Sequence, residues 1–163
     1  MPDLLTFCKW LEATALASEI RESLWLFPAI ETVHLFGVVL LVGTTSAFDL
    51  RLLGWTMRGQ RPAELGRRLL PWAWAGFAVQ VTTGFLLFSS EAVKCYGNLA
   101  FRIKMLLLLL AGLNALVFHL TTYQKIDHQD ASEGSPLGAR IAGAASILLW
   151  LGIITAGRFI GFV

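Results

Sequence analysis

The stretch "AIETVHLFGVVLLVG", residues 29–43, sets Glu31 and His34 one helical turn apart at the entrance to an aliphatic run. A neutral imidazole can ligate a metal or a haem iron, and a carboxylate one turn away can orient it by hydrogen bonding. The same two residues can equally form a hydrogen-bonded pair that fixes helix packing and needs no cofactor. Other polar side chains interrupt the apolar segments that follow: Gln80, Thr82 and Thr83, then Lys104, Asn114 and His119, then Ser146, Thr155 and Arg158. Each costs free energy in hydrocarbon unless it is paired or used.

The elements that must position these residues are set by composition. Hydrophobic residues make up 56% of the chain and charged ones 15%, and the mean hydropathy is +0.65, a balance that makes most helical faces apolar all round. Four segments are long enough to cross a bilayer, at about residues 25–48, 69–88, 101–122 and 141–159. None alternates with the period of a barrel strand. The expected architecture is all-α: an integral membrane antiparallel four-helix bundle, forming one domain over residues 1–163. Residues 1–23 lack the basic start and continuous apolar core of a signal peptide. Leu4, Phe7, Cys8, Leu11 and Ala15 recur there at helical spacing, which predicts an amphipathic helix on the outer face of the membrane or an ordinary solvated one.

Arginine sets the orientation. Arg51, Arg58, Arg61, Arg67 and Arg68 fall in or beside the first loop, which the positive-inside rule places in the cytoplasm. The N-terminal helix, the 89–100 loop and the C-terminus then lie outside a bacterial inner membrane, at the cost of leaving Arg102 and Lys104 on the outer side. The arginine-rich loop is a topology signal and gives no reason to expect nucleic acid as a partner. Cys8 and Cys95 share the outer, oxidising side, which makes them a disulfide candidate; the alternative is a small apolar residue and a free thiol.

Depth separates the histidines. Counted from the outer ends of their helices, His34 and His119 differ by about 13 Å at 1.5 Å per residue, too far to be axial partners on one haem. Lys104 is about 9 Å from His34 on the same count, a gap that its long stem can largely close. Glu31, His34, Lys104 and Arg158 therefore form the expected outer-half cluster, with His119 alone near the inner surface as a less specific ligand candidate. His128 sits in a polar loop and reads as solvated. Gln80 and Asn114 suit interhelical hydrogen bonds, and Asp49 is placed to pair with Arg140.

The segments "HLFGVVLLVGTTSAFDLRLLG", "TTGFLLF" and "FRIKMLLLLLAGLNALVFH" together resemble a family of uncharacterised bacterial multi-pass proteins known only as a domain of unknown function, over nearly the whole chain. More distantly, the order of a first-helix His, a Gly three residues on, an Arg-Leu at the inner end, a Thr-Gly and a Lys-apolar run is similar to two groups. These are the small membrane protoporphyrinogen oxidases, which bind haem b, and the membrane domain of copper-resistance D proteins. The resemblance to the oxidases implies that His34 is a haem ligand, Lys104 a functional lysine and Arg51 the inner-end arginine; the resemblance to the family of unknown function implies no activity. The added N-terminal helix, Glu31 and His119 depart from that pattern.

Three classes of function follow. In the first, haem b is ligated by His34, with Lys104, Arg158 or Arg102 near its propionates. Gly37, Gly43, Gly84, Gly112, Gly143 and Gly152 leave room between helices, and Trp25, Phe27, Phe36 and Trp150 are placed to wall the ring. Such a protein would exchange electrons with a quinone or an outer-side redox protein. The second class is a copper or other transition-metal handling protein, which the shortage of methionine, with only Met1, Met57 and Met105, disfavours. The third is a cofactor-free structural subunit of a membrane complex. Homo-oligomerisation is compatible with all three. No P-loop, nucleophile elbow or paired-carboxylate motif points to nucleotide or hydrolase chemistry.

Overall fold

The structure is a computed structural model that describes residues 4–123 and 134–162. Among these residues every regular element is a helix, in the order α1 Leu4–Glu12, α2 Ala15–Glu22, α3 Leu26–Leu52, α4 Pro62–Ser90, α5 Ala92–Gly97, α6 Leu99–Thr121 and α7 Leu137–Phe159. Helices α3, α4, α6 and α7 are long and apolar enough to cross a membrane. Between none and 17% of each span's most hydrophobic stretch is buried within the protein, so these helices present apolar surface on almost every side, as lipid requires.

The helices begin where short polar or cyclic residues satisfy the free N–H groups of a first turn. The Ser23 hydroxyl accepts from the Leu26 amide at 3.1 Å, and the Asn98 side chain accepts from the Phe101 amide at 3.0 Å. Pro62 opens α4, where a missing N–H costs nothing. Threonines inside the spans return their hydroxyls to the carbonyl one turn back, as Thr45 does to Leu41 at 2.8 Å.

Helices α3 and α4 pack along most of their length, and the contacts rise in one as they fall in the other. His34 meets Thr83, Gly37 meets Val79, Leu41 meets Gly76 and Phe48 meets Gly66. The approach is closest at Gly76, where a Cβ would lie 2.7 Å from the Leu41 amide nitrogen. Helices α6 and α7 form a second pair, with Leu107 against Gly152 and the Asn114 amide donating to the Ala142 carbonyl at 3.0 Å. The pairs join through α3 and α7, where Gly143 sits against the Asp49 carbonyl and Leu52. Helices α4 and α6 are not packed together along their length. They meet at one end, where Phe88 stacks on Phe101 at 5.4 Å between centroids; at the other, Gly66 of α4 approaches Tyr123, just beyond the end of α6.

The end carrying the short helices is a cap. The N-terminal segment is two helices rather than the single one expected, because Thr14 is extended between them. Cys8 and Leu11 of α1 pack on Ala92, with Phe88 and Val93 around them. The carboxylate of Glu12 accepts from the Val93 amide at 2.9 Å and is bridged by Arg21 at 3.3 Å. Glu12 therefore caps the first turn of α5 from another helix. On α2, Ala17 and Ile20 are buried, whereas Leu4 and Phe7 on α1 stay exposed. At the opposite end Leu52 and Ala139 form a small core with Phe48, Phe118 and Tyr123.

Candidate functional site

The polar residues nearest the capped end converge on His34. Its ring is half-buried and lies against Gly84, where a Cβ would stand 3.4 Å from Cε1. Nδ1 is 2.8 Å from the Thr83 hydroxyl oxygen, and that hydroxyl donates its proton to the Val79 carbonyl at 2.6 Å. A hydroxyl has one proton to give, so at Nδ1 it must accept. That arrangement favours the tautomer with the hydrogen on Nδ1 and the lone pair on Nε2. The Gln80 amide holds the His34 backbone carbonyl at 2.9 Å, pinning the same turn of α3 to α4.

Lys104 supplies the facing cation. It is half-buried and passes over Gly157, where a Cβ would lie 3.5 Å from Nζ. Its charge is close enough to act on both His34 and Cys95. Among the described residues, no carboxylate or hydrogen-bonding group pairs with the ammonium. An unpaired ammonium within electrostatic reach of an imidazole can hold an anionic or carbonyl group on the one hand, and the imidazole a metal-centred group on the other.

Several expected participants lie elsewhere. Glu31 is exposed, and the hydrogen-bonding partner of His34 is Thr83 rather than Glu31. Three residues of helix turn the carboxylate about 60° from the imidazole, enough at the first turns to point it away from α4. Arg158 is exposed and its guanidinium lies over the Phe162 ring at 5.3 Å, and Arg102 is exposed as well. His119 is exposed near the far end, stacked on Tyr123 at 5.1 Å, which keeps it away from His34. Trp25 and Phe36 are 83% and 71% exposed, so neither walls an interior site; Phe27 and Trp150 are partly buried. His128 lies outside the described residues.

Asp49 is buried, with one carboxylate oxygen lacking a hydrogen-bond partner among the described residues, and the expected partner Arg140 is exposed. Cys8 and Cys95 are both buried as free thiols. Burial, helped by the nearby Glu91 carboxylate, pushes the Cys95 thiol up to about 11. Thr83 was named among the polar residues of its span but was given no part in the expected cluster. Its position three residues from Gln80 on the face turned to α3 was the available signal.

Comparison with known proteins adds one fact. The chain belongs to DUF6644, a family of unknown function, whose model matches residues 8–163. No curated protein and no solved structure matches the chain. Membership of DUF6644 therefore agrees with the expected kinship to a domain of unknown function. The comparisons lend nothing to the more distant likeness to protoporphyrinogen oxidases or copper-resistance D proteins. Among the described residues there is also no group of three or more His, Cys, Asp or Glu that could enclose a metal ion, so the copper reading has no ligand set there.

Proposed function

We propose that this chain is a haem b-binding membrane redox protein, with His34 as an axial ligand. The observation that carries the reading is the contact of His34 Nδ1 with the Thr83 hydroxyl at 2.8 Å, while that hydroxyl lies 2.6 Å from the Val79 carbonyl; donation to Val79 would put the imidazole hydrogen on Nδ1 and leave Nε2 with a lone pair. A histidine kept only for packing would be expected to satisfy both nitrogens. Histidines that bind metals typically have this second hydrogen bond, which fixes the ring and raises its basicity. The residues present fit the group in two further respects. Lys104 offers an uncompensated cation for a propionate, and Gly84 presents no side chain to the His34 ring. When bound, haem b would supply one-electron redox chemistry. The protein's own contribution would be to orient the ring through Thr83 and Gln80 and to neutralise a carboxylate with Lys104.

In this reading the four spans form an antiparallel bundle in a bacterial inner membrane. The cap of α1, α2 and α5 faces outward with both termini, and the arginine-rich loop faces inward. A quinone arriving through the bilayer, or a redox protein at the capped surface, would exchange electrons with the site.

The test is the absorption spectrum, oxidised and dithionite-reduced, of protein expressed with haem supplementation and purified in detergent. It is compared with His34→Ala and His119→Ala. A Soret band lost in His34→Ala and kept in His119→Ala is expected. No Soret band in any sample would overturn the proposal.

A further inference from the structure

We propose that Cys8 and Cys95 are a cross-linking pair that closes to a disulfide, stapling α1 onto α5 beside Lys104. These are the only two cysteines of the chain, and the fold buries both, at 3% and 7% exposure. Cys8 packs on Ala92 in the contact between α1 and α5. Cys95 is one helical turn from Ala92, on the same face of α5. Each thiol is near enough to feel the charge of the other. Two cysteines far apart in sequence that converge on one buried contact between short helices are better placed for pairing than two that fall on unrelated surfaces.

The packed state also restrains the pair. Thiolates, not thiols, attack disulfides, and burial keeps the Cys95 proton on until about pH 11. Reaction therefore waits for α1 to lift, and the break at Thr14 provides the joint about which it can do so. With α1 raised, the Cys8 thiolate attacks a small disulfide or a disulfide-bearing protein, forming a mixed disulfide and releasing one thiol. The Cys95 thiolate then attacks the Cys8 sulfur, forming the internal bond and releasing the second thiol. Two cysteine thiols and one external disulfide become one internal disulfide and two external thiols, so electrons and protons balance. Cys95 and Lys104 sense one another's charge, and the closed staple would therefore fix the cap directly over the residues around His34.

The test uses the full chain in detergent, incubated with oxidised glutathione, denatured and treated with a polymer-linked maleimide, with intact mass measured in parallel. The expected wild-type result is no maleimide label and a mass lower by two hydrogens, with two labels regained after reduction. Cys8→Ala and Cys95→Ala should each show a single thiol or a single glutathione adduct. Wild-type protein that keeps two labels after oxidant, carries glutathione on both cysteines, or forms only linked dimers would overturn the proposal. The wild-type mass decides the matter even where a variant fails to fold, and it does not depend on haem.

Discussion

Replacing Thr83 by Val removes one oxygen and almost no volume, and it tests the tautomer argument directly. Thr83 is 7% exposed and its hydroxyl is the acceptor for His34 Nδ1 at 2.8 Å. The valine would leave an N–H with no acceptor in a partly buried site, a penalty of about 1–3 kcal/mol. The ring can escape it only by rotating or by moving its proton to Nε2, and either change removes the ligating lone pair from its place. Loss of an orienting hydrogen bond to a ligating histidine lowers metal-site affinity by about 10–100-fold, or about 1.4–2.8 kcal/mol, within the range set by the unmet hydrogen bond. The Val79 carbonyl is not orphaned, because it still has its own helical bond. The assay is titration of the haem-depleted protein with haem, followed at the Soret band, for wild type, Thr83→Val, Thr83→Ser and His34→Ala. Thr83→Ser should bind as wild type does. Wild-type affinity in Thr83→Val, with binding lost in His34→Ala, would refute the orienting role, as would a serine variant as weak as the valine.

Other outcomes follow from the same geometry. Gly76→Ala places a Cβ 2.7 Å from the Leu41 amide nitrogen, a clash with backbone that should separate α3 from α4, cost about 1–3 kcal/mol and lower the thermal midpoint in detergent. Glu12→Ala leaves the Val93 amide without its carboxylate; a loss of about 1 kcal/mol is expected, read as faster proteolysis of the first 22 residues. Gly157→Leu would push the Lys104 ammonium from its place over α7 and should weaken haem binding while sparing the His34→Ala comparison. The folded Cys95 thiol keeps its proton to about pH 11 against an ordinary 9.0, so the unfolded chain deprotonates first as pH rises. Stability of the cap should be intact below 9.0 and fall between 9.0 and about 11, measured as maleimide reactivity of Cys95 against pH.

The spans were legible because about 20 unbroken apolar residues leave helix as the economical option in lipid. The ends were not, since caps decide them: Ser23, Asn98 and Pro62 set starts that hydropathy does not register. Gln80 and Asn114 make the interhelical bonds expected of buried amides. The prominence of His34 and Lys104 was readable from charge in an apolar run. Glu31 was misplaced because sequence spacing gives an angle on a helix without saying which neighbour that angle faces. The role of Thr83 was not legible, because a threonine in a span usually bonds its own helix, and this one does so while also meeting His34 Nδ1. The division of the N-terminus at Thr14 goes with α1 packing on α5 as well as α4 while α2 packs on α4 and α3, which no local pattern encodes.

The unequal helix lengths bear on the membrane the chain can occupy. Helices α6 and α7 have 23 residues each and span about 35 Å, close to a hydrocarbon core of about 30 Å with its rims. Helix α4 has 29 and reaches about 44 Å, so roughly two turns must stand clear. Those turns carry Glu64, Arg67 and Arg68, followed by exposed Trp72 and Trp74, residue types that settle at the headgroups. A thicker bilayer would have to swallow two guanidinium groups before it could cover α4 further. A thinner one would strip lipid from the tryptophans. In a bilayer this rim would favour one depth for the start of α4, while tilting of the longer helix absorbs modest changes in thickness.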